Sequence, residues 1–216
     1  MIRIYILRTE NLLKSDFSEL VNSLPFGEAE KQRLLAIKSS RHKWESLGGL
    51  IALWRLMEKS EFPYDGLTVI ERTPSGKPYF NFPVSPHFSI SHSQGIAAAA
   101  ICDYKYGEIG FDIEVIDQKY DFYTIAERFF TDDEKAELEA SKNSAVTFFS
   151  IWTAKEAYAK LGGQGLSELL ARKDKPRQKN LSLSKLNISL GDRQAVFSVC
   201  SYVAEQPIQI YTDNEA

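Results

Sequence analysis

The stretch from Gly107 to Leu161 constrains the fold most. It opens with an apolar run carrying two carboxylates, GEIGFDIEVID, and closes with FFSIWTAKEAYAKL ahead of paired glycines. The first run is apolar and β-branched, so it reads as a strand, and alternation puts Asp112 and Glu114 on one of its faces. Phe148 to Leu161 reads as a helix stopped by Gly162-Gly163. On that helix Trp152, Glu156 and Lys160 recur at i, i+4 and i+8 and share a face. Three carboxylates that converge, with a lysine one turn on, suit Mg²⁺ shared with a phosphate substrate, because that ion takes a few carboxylates plus substrate oxygens. The plain alternative is a strand-end acidic pair and an i,i+4 surface Glu–Lys bridge; spacing alone leaves both open.

Any anionic substrate has to be held by a local group of cations, because the 216-residue chain carries a net charge of −3. That balance argues against a general nucleic-acid binder, which would be basic. Hydrophobic residues at 44% and charged residues at 25% describe an ordinary globular chain. The two cysteines, Cys102 and Cys200, lie inside apolar strand-like runs and read as small core residues of a reducing compartment. MIRIYILRTEN begins directly as a strand without the apolar core and cleavage site of a signal peptide. No apolar run approaches the roughly 20 residues that cross a bilayer. A cytoplasmic protein without membrane contact is expected.

Ile2 to Leu7 reads as a buried strand, Leu12 to Leu24 as a helix ending before Pro25, and Glu28 to Met57 as a long helix broken or bent near Ser39-Ser40. Trp44, Leu47, Leu50, Ile51, Trp54 and Met57 form a core-facing stripe on its second half. A strand at Leu67 to Arg72 leads into a tight turn at Gly76-Lys77-Pro78. Phe88 to Ser91 resumes a strand, His92 is read in an exposed turn, and IAAAAIC follows as a strand of small residues that lets a neighbour approach. Ile125 to Ala140 reads as two helical pieces, the second opened by a capping box of Thr131 and Glu134. RKDKPRQK, residues 172–179, is a basic loop. The last forty or so residues alternate like antiparallel strands joined by turns. The architecture expected is α+β in two similar halves, 1–105 and 106–216, the second carrying the metal site.

Placed in order, these blocks resemble the 4′-phosphopantetheinyl transferase superfamily, of its single-chain, two-halves (Sfp-type) kind. The resemblance runs from about residue 30 to 170. It rests on SGKP at 75–78, FSISHS at 88–93, GFDIE at 110–114 and WTAKEAYAK at 152–160, with RFFTDDE at 128–134 between the last two. It implies two pseudo-symmetric α+β subdomains with the active site between them. It also implies Mg²⁺-dependent transfer of the phosphopantetheine arm of coenzyme A to a serine of an apo carrier protein, releasing 3′,5′-ADP. By the same resemblance Asp112, Glu114 and Glu156 are metal ligands. Lys155 and Lys160 lie at the pyrophosphate, Gly76, Lys77 and Pro78 line the adenine and phosphate end, and Ser91 and His92 contact phosphate. Glu156 and Lys160 carry the catalysis, with Glu156 as proton acceptor for the attacking serine.

The chain departs from the family at Glu45, which stands before Ser46-Leu47-Gly48-Gly49 where an arginine usually meets the 3′-phosphate. Arg41, one turn earlier, or Lys31 and Arg33 upstream would supply that charge. Partners expected are coenzyme A and an acidic carrier, steered by Lys173, Lys175, Arg177 and Lys179; a monomer is expected. Two other readings stand beside the transferase: a Mg²⁺-dependent phosphodiester hydrolase, and a non-enzymatic module that binds coenzyme A or a carrier protein.

Overall fold

The computed structural model describes residues 1–60, 69–119, 121–163, 181–203 and 206–213. The fold is mixed α+β, as the sequence pattern implies. The chain divides into two compact units: Met1–Glu108 together with Gln206–Ala216, and Ile109–Glu205.

The first unit opens with β1 (Ile2–Arg8), a 3₁₀ turn at Thr9–Leu12, and α1 (Phe17–Ser23). Leu12 belongs to that turn rather than to the helix. The Asp16 side chain accepts from the Glu19 backbone N–H and so starts α1 at Phe17. The expected break in the long helix is present: α2 (Glu28–Leu35) stops, and Ser39 caps α3 (Ser40–Glu58) by accepting from the His42 N–H. The α3 stripe is core, with Leu47, Leu50, Leu53, Leu56 and Met57 buried and both tryptophans packed against them. A short ribbon follows, β2 (Ile70–Arg72) with β3 (Pro78–Phe80), then the hairpin of β4 (His87–Ser93) and β5 (Ile96–Cys102).

Small residues let α3 lie close on this hairpin. A Cβ on Gly48 would stand 2.8 Å from the Ala97 Cβ, and one on Gly49 would stand 2.4 Å from the Ile90 Cγ2. The alanines of β5 and the glycine pair of α3 are therefore two sides of one close contact. The hairpin turn is Gln94-Gly95 alone, with both residues at positive φ. His92 thus lies within β4 and is part-buried, not in an exposed turn as its serine neighbours suggest. One register pair, Ser93 with Ile96, stands between it and the turn.

The second unit begins with β6 (Ile109–Val115), followed by α4 (Phe122–Phe129), α5 (Asp132–Glu139) and α6 (Ser144–Gly162). The capping box of Thr131 and Glu134 forms as expected. Asn143 caps α6, which therefore starts a turn earlier than its apolar pattern indicates. The hairpin of β7 (Ser182–Leu190) and β8 (Arg193–Ser201) joins β6 in a three-stranded antiparallel sheet ordered β6-β8-β7. Phe122, Phe130, Phe148 and Phe149 form the core between α4, α5 and α6.

The last strand departs from the expected meander. β9 (Ile208–Thr212) pairs in parallel with β1, completing a first-unit sheet ordered β4-β5-β1-β9. Its alternation is that of a strand, but alternation carries no information about which partner is chosen. Cys102 and Cys200 are free and buried, and burial pushes both thiols up to about 12, in keeping with core packing. Among the described residues no helix is long and apolar enough to cross a membrane. Leu67, residues 172–179 and the lysines and arginine among them lie outside the described residues.

Candidate active site

Helix α6 is laid on β6 by the residue that has no side chain. A Cβ on Gly110 would fall 1.8 Å from the Ala157 carbonyl oxygen and 2.5 Å from the Leu161 nitrogen, so helix backbone touches strand backbone there. One turn back, the buried Thr153 and Ser198 hydroxyls lie 2.7 Å apart and tie the helix to β8. Ser198 is the register partner of Asp112. These two contacts set the rotation of α6, and its stripe of Thr153, Glu156, Ala157 and Lys160 meets the strand face bearing Gly110, Asp112 and Glu114.

Three of the expected site residues therefore come together. Lys160 Nζ donates to Asp112 Oδ1 at 2.7 Å, and Asp112 is only 2% exposed. Burial first, and then the like charge of Asp112, push the Glu156 carboxyl up to about 7; Lys160 pulls the other way. Glu114 shares the strand face with Asp112, two residues on. Asp112, Glu114 and Glu156 offer carboxylate oxygens, the ligand type a hard divalent cation prefers. Burial and the Asp112 charge together outweigh the Lys160 ammonium, which is what raises Glu156.

The raised Glu156 has a signed consequence for the metal-free protein. Its folded-state value lies above the ordinary carboxylate value, so the folded chain holds the extra proton between about 4.5 and about 7. Its contribution to stability is fully present below that window and is lost as pH rises through it. Melting temperatures measured with chelator present should fall from pH 5 to pH 8 more steeply for the parent protein than for Glu156→Gln. Parallel curves would remove the shift.

Lys155, adjacent in sequence, is not part of this cluster. It is buried on another side of α6, where its Nζ lies 2.8 Å from Glu134 Oε2 and over the Phe130 ring. Trp152 likewise packs in the aromatic core against Phe129 and Phe148. The Glu134 oxygen that meets Lys155 also accepts from the Thr131 backbone N–H, so the capping box and the lysine are one network.

In the first unit, Lys77 and Pro78 line a cavity of about 280 Å³ with Tyr79, His87, Phe88 and Glu108. Lys77 pairs with Glu108. Gly76, at φ +88, turns the chain just before, and its carbonyl accepts from Arg72. Ser91 and His92 are successive residues of β4, so their side chains stand on opposite faces. The structure does not present them as a pair on one surface.

Around Glu45 the arrangement is specific. Its Oε1 accepts from Arg41 Nε at 3.0 Å and from the Gly95 backbone N–H at 2.8 Å, while its Oε2 lies 3.4 Å from His92 Nδ1. Arg41 thus stands where it was expected, one turn before Glu45, but bound to it. Lys31 donates to the Asn22 carbonyl and Arg33 pairs with Glu30. His42, which the sequence reading passed over, has its ring 5.2 Å from that of His92, edge to face. The H-x-x-E spacing of His42 and Glu45 was the available signal.

Comparison with known proteins covers the part of the chain that holds the carboxylate cluster. Residues 108–210 match the model of the 4′-phosphopantetheinyl transferase superfamily. The chain is 38% identical over 101 residues to the 4′-phosphopantetheinyl transferase psf-1 of Bacillus pumilus, covering 46% of this chain and 41% of that protein. It is 35% identical over 122 residues to the 4′-phosphopantetheinyl transferase gsp of Aneurinibacillus migulanus, covering 56% and 48%. It is 38% identical over 90 residues to the 4′-phosphopantetheinyl transferase AcpT of Salmonella typhi, covering 41% and 46%. The matched stretches thus span less than half the length of each of these relatives.

Proposed function

From the match of residues 108–210 to the 4′-phosphopantetheinyl transferase superfamily, we propose that the chain transfers the phosphopantetheine arm of coenzyme A to a serine of an apo carrier protein. The observation that carries this reading is the cluster of Asp112, Glu156 and Lys160 inside the matched segment. In the transfer, the serine oxygen forms a bond to the β-phosphorus of the coenzyme A pyrophosphate. The bond from that phosphorus to the bridging oxygen breaks, and the oxygen leaves with 3′,5′-ADP. The serine proton goes to the Glu156 carboxylate, which a bound divalent cation would hold ionised and so able to accept it.

Asp112, Glu114 and Glu156 would hold Mg²⁺, which when bound supplies Lewis-acid neutralisation of charge on the pyrophosphate. Lys160 stands against Asp112 and brings an ammonium to the same place, where it acts on phosphate as a point charge. The remaining assignments from the resemblance, Gly76, Lys77, Pro78, Ser91, His92, Arg41 and Lys155, are proposed as the coenzyme A set. Lys155 also holds the fold, because its contact with Glu134 ties α6 to α5. An acidic carrier would be steered by the cations of residues 172–179, and the protein would work as a cytoplasmic monomer.

The test is the intact mass of a purified apo carrier protein after incubation with this protein, coenzyme A and Mg²⁺. A gain of one phosphopantetheine arm is expected. Consumption of coenzyme A with no mass gain would replace the transferase by a hydrolase. Binding of coenzyme A without any product would leave a binding module.

A further inference from the structure

We propose that His42, Glu45 and His92 form a metal site in the first unit, separate from the carboxylate cluster, and that it takes a late first-row divalent cation of the Zn²⁺ type. One ligand atom from each of the three lies within 4.8 Å of the others. Two imidazoles and one carboxylate make a nitrogen-rich donor set, which suits Zn²⁺, Co²⁺ or Ni²⁺ and not Mg²⁺.

The site is built on two elements of one unit. His42 and Glu45 occupy i and i+3 in the first turns of α3, where Ser39 fixes the helix start by accepting from the His42 N–H. His92 comes from β4, and its ring meets that of His42 at 5.2 Å. Glu45 is buried and already oriented. Arg41 and the Gly95 N–H hold its Oε1, which directs Oε2 at His92 Nδ1, 3.4 Å away. Such a hydrogen-bonded carboxylate is the support that metal ligands require from the residues behind them.

Ligands about 2.0–2.1 Å from a tetrahedral ion stand about 3.3 Å from one another. The Glu45–His92 separation already matches that edge. The edges to His42 close by turning an exposed imidazole at the surface end of α3. Three protein ligands leave a position open to water or to an anionic oxygen. The ion would occupy the His92 nitrogen that faces Glu45, leaving the ring's other nitrogen to the coenzyme A contact proposed above, and a titration with metal in the absence of coenzyme A tests this site apart from the transfer reaction.

The experiment titrates the full chain with Co²⁺ as a coloured stand-in and reads its visible ligand-field absorption. A one-to-one spectrum is expected, bleached by Zn²⁺ and retained in Asp112→Asn. His42→Ala and His92→Ala should each weaken Co²⁺ binding by more than about 10-fold. His42 is exposed, so its replacement leaves the fold intact, as an unchanged metal-free melting temperature would verify; should His92→Ala fail to fold, His42→Ala and His42→Gln decide. Absence of a saturable spectrum in the parent protein, an unchanged spectrum in His42→Ala, or loss of the spectrum in Asp112→Asn would overturn the site.

Discussion

Asp112→Ala is expected to stop carrier modification while leaving the metal-free fold as stable as the parent or more so. Removing one of the carboxylates that would hold the divalent ion takes away several kcal/mol of transition-state charge stabilisation, a loss of about 10³-fold or more in rate. The stability side follows from the charges in place. Asp112 is buried beside Glu156, and its like charge is the second cause of that group's raised value. Alanine removes that repulsion together with the 2.7 Å contact from Lys160, whose ammonium still lowers Glu156. Mg²⁺ should raise the melting temperature of the parent protein, because a ligand that binds only the native state stabilises it, and should not raise that of the variant. An Asp112→Ala protein that is clearly destabilised and still active would return Asp112 to a structural ion pair.

Gly110→Ala tests the same site from its foundation. The added Cβ meets helix backbone, not a side chain that can turn away, so α6 has to move off β6 by more than an ångström. Overpacking of this kind costs about 3 kcal/mol or more. The displacement also separates Glu156 and Lys160 from Asp112, so activity should fall further than the unfolded fraction explains. Denaturant unfolding and transfer assays on the same preparation separate the two effects. A loss below about 1 kcal/mol with full activity would show that the helix–strand contact yields readily.

What the sequence made legible was local. The period of two on β6 places Asp112 and Glu114 together, the i,i+4 spacing on α6 places Glu156 and Lys160 together, and the Thr131–Glu134 box marks a helix start. Partners chosen across the fold were not legible. Lys155 and Glu156 are neighbours in sequence and about 100° apart around a helix, and which one faces α5 depends on how α6 is seated. Ser91 and His92 read as a pair because they are adjacent, yet a strand sends them to opposite faces. The seating of α6 itself depends on Gly110, which in sequence is only a gap in an apolar run. Glu45 read as a missing arginine; its three partners, from its own helix, the β4–β5 turn and β4, appear only with the hairpin folded against α3.

The parallel pairing of β9 with β1 fixes an order of events during synthesis. Ile2 and Ile208 are register partners, so the first unit's sheet waits until residue 208 has been made, whereas Ile109–Glu205 is contiguous in sequence and made before it. Until β9 arrives, β1 presents an unpaired and largely apolar edge of the kind that recruits other chains. A nascent chain halted before Ile208 should thus be more prone to aggregation than its core alone suggests, and the closing of two strands so distant in sequence should be the slow phase of refolding.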